Sequence, residues 1–505
     1  MNIKQAKQEI VNTVHAYLAK DDAGEYVIPV ERQRPLLLIG PPGIGKTAIM
    51  EQAARECGIN LVSYTITHHT RQSAIGLPFI SNKKYGDEEV SVTEYTMSEI
   101  IASIHDRIEE SGIKEGILFL DEINCVSETL APTMLQFLQY KTFGNHRVPD
   151  GFIIVTAGNP PEYNKSVRDF DIVTYDRVKR IYIEEDFAAW KEYAYHAQIH
   201  GAILAYLEIK KKNFYSIVSD VDGKRFVTAR GWEDLSVVMK VYEQQGLPIN
   251  YDFVVQYLQD PEIARDFAVY YELYQKYNQI YRIPELLEGE FPEDVLAIQN
   301  APFDEKLSLI GLLLDALSQE FVTYARWENA QKEFLAQLGY LRIDLKEGKG
   351  SAKELLERQS ESHETMTAHR KKANLLSREE LRTAHDLQKA FDACVRLVTE
   401  AGSGDARSDF GLVKQYFDEQ ENLRQTQIAD IGRHLSNAFD FLSRVFGEGQ
   451  ELVIFLSELS AGYYSLKFVS ECGNEDYYKY NRLLLLKDRG EELTQEVMRI
   501  LALDD

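Results

Sequence analysis

The stretch PLLLIGPPGIGKTAIM, residues 35–50, constrains this chain more than any other part of it. Its four apolar residues fit a strand buried on both faces of a sheet. A run rich in glycine and proline follows, and the apolar spacing after it fits a helix opening near Lys46 and Thr47. Gly40, Gly43, Gly45, Lys46 and Thr47 fill the pattern GxxxxGK[ST], in which glycines let consecutive backbone N–H groups turn inward around phosphate oxygens. The lysine meets the outer phosphates, and the positive end of the helix faces the anion. Gly40, Pro41, Pro42, Gly43, Ile44, Gly45, Lys46, Thr47 and Ala48 therefore form the expected cradle for the phosphates of ATP, with the Thr47 hydroxyl on Mg2+.

Further short apolar runs alternate with helical patterns: LVSYTI (61–66), GILFLD (116–121), FIIVTA (152–157) and RIYIEE (180–185). The alternation predicts an α/β core over residues 1–185, with a parallel sheet of about five strands between two layers of helices. Two stretches that are polar at the centre and β-prone at the ends, 79–95 and 137–152, read as inserted hairpins. Beyond residue 185 the apolar spacing is helical and no further strand stands out. Residues 186–340 read as an all-α lid and extension, and residues 381–505 as an α-helical C-terminal domain. Between them, residues 341–380 are charged and poor in apolar side chains, as in a flexible linker or a solvated helix.

Three further places carry candidate chemistry. In ILFLDEIN, Asp121 and Glu122 stand at the carboxyl end of an expected buried strand, the edge at which open α/β sheets bind ligands. Asp121 suits Mg2+, directly or through water, and Glu122 suits the base that orients and deprotonates an attacking water. In IIVTAGNPPEY, Asn159 ends the next strand, where its amide could reach that water or the γ-phosphate. In TYDRVKRIYI, Arg177 and Arg180 precede or open the last strand, and an arginine there could reach a neighbouring subunit's γ-phosphate. Arg230 in FVTARGWEDL lies near the start of a helix, from which a lid could contact nucleotide.

With these residues in this order the chain resembles the AAA+ ATPases and, within them, the MoxR-like branch. GPPGIGKT matches the Walker A motif and ILFLDE the Walker B motif. Asn159 matches sensor 1, Arg177 in YDRVKR the arginine finger of the family's Asp-Arg-Phe box, and Arg230 in TARGW sensor 2. The two hairpins fall where this branch carries its helix-2 and pre-sensor-1 insertions. The likeness covers residues 30–290 or so; Val178 stands where the box usually has phenylalanine, and Arg180 competes with Arg177 as the finger. The resemblance implies an α/β P-loop NTPase core with a helical lid and a hexameric ring with ATP between subunits. It also implies a protein client or partner, often one bearing a von Willebrand factor A-type domain, that is remodelled or activated.

Bulk properties narrow the alternatives. A formal net charge of −24 argues against a chain that coats nucleic acid or an anionic membrane. No run approaches the ~18 apolar residues of a membrane helix, so no membrane insertion is expected. Cys57, Cys125, Cys394 and Cys472 are scattered and form no CxxC pair, which suits a reducing, cytoplasmic setting. His68 and His69 are adjacent and would point apart on a strand, so a loop is favoured over a metal pair there, while Arg71 and Ile75 could touch a client. Tyr270, Tyr271, Tyr274, Tyr277 and Tyr281 have helical spacing that favours packing over base stacking. Three readings remain: a Mg2+-dependent ATPase ring acting on proteins, a nucleic-acid translocase or restriction-type motor, and a scaffold that nucleotide only stabilises.

Overall fold

The computed structural model describes residues 1–68, 76–86, 88–127, 130–143, 145–163, 170, 172–220, 223–291, 298–372 and 375–483. Arg71, Ile75 and His69 lie outside the described residues. Two compact units are formed. The first comprises residues 1–190, 228–230 and 365–378, and the second residues 191–227, 231–364 and 379–505.

The first unit is built on five parallel strands: β1 (Leu36–Ile39), β2 (Asn60–Thr65), β5 (Gly116–Asp121), β8 (Phe152–Gly158) and β9 (Lys179–Tyr182). They lie in the order β2-β5-β8-β1-β9. Every pairing is parallel, so all carboxyl ends meet at one edge of the sheet. Burial follows position. β1 and β8 are buried throughout and β5 up to its last residue, whereas the edge strands β2 and β9 alternate with exposed positions. A strand covered on both faces must be apolar at every residue, which is why LLLI, GILFL and FIIV read so clearly.

Helices cover both faces. Lys46–Cys57 buries Ile49, Met50, Ala53 and Ala54, and Glu99–Ser111, capped by the Ser98 hydroxyl on the Ile101 amide, buries Ile100, Ile101 and Ile104. The first helix, Ile3–Leu18, starts in a reciprocal cap between Asn2 and Gln5 and is tied to Lys46–Cys57 by the Lys7–Glu56 ion pair. Both inserted hairpins are present: β3 (Pro78–Tyr85) with β4 (Glu88–Tyr95), and β6 (Thr142–Phe143) with β7 (His146–Arg147).

The second unit is largely helical, as the spacing predicts. Its longest elements are Phe303–Lys346 and Ala406–Phe446. Tyr271, Tyr274 and Tyr281 are buried on the helix Pro261–Tyr281, so they serve packing. Residues 341–380, read as linker or solvated helix, hold the end of the helix Phe303–Lys346 and the helix Ala352–Lys372, in which only Ala352, Leu355 and Leu356 are buried. One element departs from the all-helical expectation, an antiparallel hairpin of β10 (Ser216–Asp220) and β11 (Gly223–Val227). Its strands are short and carry no apolar run, so the apolar spacing does not announce them. Among the described residues, only Phe303–Lys346 is a single helix long and apolar enough to cross a membrane, and half of its apolar window is buried within the protein.

Candidate active site

The carboxyl edge of the sheet collects the candidate residues because of strand order and register. Ile39 pairs with Gly158, so the loop that leaves β1 runs beside the segment that leaves β8, and the Gly40 amide donates to the Gly158 carbonyl. Gly43 and Gly45 have φ of 71° and 97°, in the left-handed region where a side chain would be strained. Gly45 is the residue before the helix Lys46–Cys57, and that helix begins with no side-chain cap. Its first amide donors therefore have no side-chain acceptor and suit an anion.

Lys46 is only 8 % exposed. Its ammonium donates to the carbonyls of Gly40 and Pro41, both at 2.8 Å, and to Oδ1 of Asn159 at 2.9 Å. All three of its protons are thereby used. Burial pushes this ammonium down to about 8; the nearby carboxylates of Asp121 and Glu122 oppose the shift, and the Arg230 guanidinium adds to it. The depression marks a cation that would be better placed beside phosphate oxygens.

The next residue reaches the acidic pair. Thr47 Oγ1 donates to Asp121 Oδ2 at 3.1 Å, and Asp121 Oδ1 accepts from the Glu122 amide at 2.9 Å. Glu122 itself adopts φ 57° and ψ 35°, a left-handed conformation costing a side-chain-bearing residue about 1 kcal/mol. The turn directs its carboxylate to Thr67, whose hydroxyl donates at 3.1 Å. Register explains this contact as well, since Thr65 pairs with Asp121 across β2 and β5.

Two further residues complete the edge. Asn124 Nδ2 donates to the backbone carbonyl of Asn159 at 2.8 Å, which fixes the segment that presents the Asn159 amide to Lys46. Thr228, two residues before Arg230, stands so close to Gly43 that a Cβ there would lie 2.7 Å from its hydroxyl. The Arg230 amide donates to the Gly43 carbonyl at 3.1 Å, placing the start of the helix Ala229–Gln245 on the phosphate loop. The roles of Thr67, Asn124 and Thr228 were not legible in the sequence, because each acts through a partner dozens of residues away or more.

Arg177 and Arg180 lie elsewhere. Arg177 ends the short helix Ile172–Arg177, is exposed, and donates to the Gln139 side chain. Arg180, also exposed, lies 4.5 Å from the ring centroid of Tyr175. Because Lys179 pairs with Leu36 at the start of β1, Arg177 is at the amino edge of the sheet, opposite the phosphate loop.

Residues 36–175 match the family described as ATPase family associated with various cellular activities (AAA). The first unit therefore carries an AAA-type ATPase domain, a class that binds ATP, and its sheet places the expected phosphate loop and acidic pair together. No curated protein matches the chain.

Proposed function

We propose that this protein is a Mg2+-dependent ATPase whose AAA-type core works as a ring of identical subunits, hexameric by resemblance, and converts hydrolysis into work on a client protein. The observation that carries the reading is the convergence of Lys46, Thr47, Asp121 and Asn159 through contacts of 2.9 and 3.1 Å at one sheet edge. Lys46 and the loop amides would hold the β- and γ-phosphates. Glu122 would take the proton of the attacking water, and the Asn159 amide would orient that water in line with the γ-phosphorus. Thr47 Oγ1 and Asp121 Oδ2 are hard oxygen donors of the kind that hold Mg2+, an ion that neutralises developing phosphate charge when bound. Arg230 would touch nucleotide from the helix seated on Gly43, and Arg177 would serve a neighbouring subunit.

AAA-type ATPases usually assemble, which supports self-association. The hairpins β3–β4 and β6–β7 fall where the MoxR-like branch carries its insertions, which supports that branch; a protein client and a von Willebrand factor A-type partner follow from the resemblance alone. The net charge of −24 favours this over a nucleic-acid motor.

Substituting Glu122→Gln tests the catalytic part. The variant should bind ATP as the parent does while turnover falls by ~10²-fold or more. Equal phosphate release by both proteins would remove Glu122 as the base.

A further inference from the structure

Within the helical unit, the helices Gly201–Ile209, Ala229–Gln245, Phe303–Lys346 and Gln450–Ala461 contribute to the walls of a cavity of ≈500 Å³. That volume is in the range of small-molecule sites. Leu204, Leu314, Val322 and Ile454 give it apolar walls. Most of the charges that line it are already matched: Lys191 with Glu208 at 2.6 Å and Glu458 at 2.5 Å, and His200 with Glu243 at 3.0 Å. Arg326 pairs with Asp386 at 2.5 Å.

Three of the lining charges, Asp315, Lys240 and Arg382, have no ion-pair partner within 4.0 Å among the described residues. Asp315 has no cation within 4.0 Å among the described residues, and its hydrogen bond is a long one, 3.4 Å from the Gln319 amide. Of the cations that act on Asp315, His200 is paired with Glu243 and Lys240 donates to the Gln198 carbonyl. Near Asp315, but not among the residues that line the cavity, the buried Tyr274 hydroxyl has no hydrogen-bond partner among the described residues. Both groups meet at Gly201, where a Cβ would lie 2.8 Å from Asp315 Cγ and 2.9 Å from the Tyr274 oxygen. Arg382 is exposed, and no carboxylate lies within 4.0 Å of it among the described residues; the Lys240 ammonium is favoured by Asp315 and disfavoured by Arg382. Leaving a carboxylate and a hydroxyl unpaired inside a protein is unfavourable unless another group completes them. Burial holds the Asp315 carboxyl above its usual range.

We propose that this cavity binds a small molecule with an ammonium group at one end, a carboxylate at the other and a short apolar chain between, as in an ω-amino acid. The ammonium meets Asp315, the chain lies along Leu314 and Val322, and the carboxylate meets Arg382. This site is separate from the phosphate loop and stands or falls without it.

Calorimetric titration of the full chain with 6-aminohexanoate, hexylamine and hexanoate tests the assignment. The first should bind with a Kd of ~1 mM or tighter, and each single-charge analogue at least ~10-fold more weakly. Asp315→Asn should weaken 6-aminohexanoate by ~30-fold or more, as loss of one member of a buried charge pair does. Ser318→Phe, which fills the cavity, should abolish binding, and Arg382→Gln should erase the advantage over hexylamine. ATP binding should be unchanged in all three, and the latter two carry the test if Asp315→Asn does not fold. The proposal is overturned if the parent chain shows no heat with 6-aminohexanoate up to ~10 mM, or if the variants bind it as well as the parent does.

Discussion

The two edges of the parallel sheet differ in what their charged groups touch. At the carboxyl edge Lys46 has three acceptors, Asp121 two donors, and Glu122 is turned onto Thr67. At the amino edge Arg177 and Arg180 are exposed and rest on neutral partners, Gln139 and the Tyr175 ring. Four residues, about 13 Å of backbone, separate the level of Lys179 from Gly40, and Arg180, opposite Leu37, stands one residue nearer the loop. The difference separates a phosphate-loop edge rich in hydrogen-bonded charges from one with exposed arginines; on the proposed function, a second copy would bring the two together.

The largest effect should come from breaking the amino edge. Arg177→Ala should reduce ATP turnover by ~10³-fold or more with nucleotide affinity preserved, the scale on which a trans arginine acts. Arg180→Ala, which removes contacts with Tyr175 and Tyr182 alone, should change turnover by less than ~10-fold. The reverse ranking, read from kcat in steady-state assays, would move the finger to Arg180.

A smaller effect sharpens the carboxyl edge. The Lys46 ammonium titrates at about 8 in the free protein. Phosphate oxygens favour its charged form, so its value must rise on binding. Binding is then linked to proton uptake above pH 8 and to none well below it, and affinity should fall as pH rises through 8, by at most ~10-fold per unit. Calorimetry at pH 8.5 in buffers of different ionisation enthalpy would show the uptake. An affinity that does not change between pH 7 and 9 would contradict the buried, depressed state of Lys46.

The sequence carried the central sheet well and the contacts of its edge poorly. β1, β5 and β8 are covered on both faces, so continuous apolar runs announce them. The pattern around Lys46 and the pair Asp121–Glu122 were likewise visible, because phosphate and metal chemistry demands fixed residue types at fixed spacing. Thr67, Asn124 and Thr228 were not, since an ordinary threonine or asparagine gains meaning only from register and from close approach to Gly158 or Gly43. The hairpin β10–β11 was missed for a related reason: Lys224 and Arg225 in its second strand break any apolar run. In the helical unit, spacing foretold helices but not which charges would be left unmatched around Asp315.

The claim that the two edges complete one another across copies is tested most directly by mixing two disabled proteins. Glu122→Gln subunits keep Arg177, and Arg177→Ala subunits keep Glu122. Each alone should hydrolyse ATP at a small fraction of the parent rate. Combined in equal amounts and allowed to exchange subunits, they should regain at least ~10-fold more phosphate release than either alone, because some interfaces then hold an intact residue from each side. A mixture no faster than the average of its two components would contradict the account.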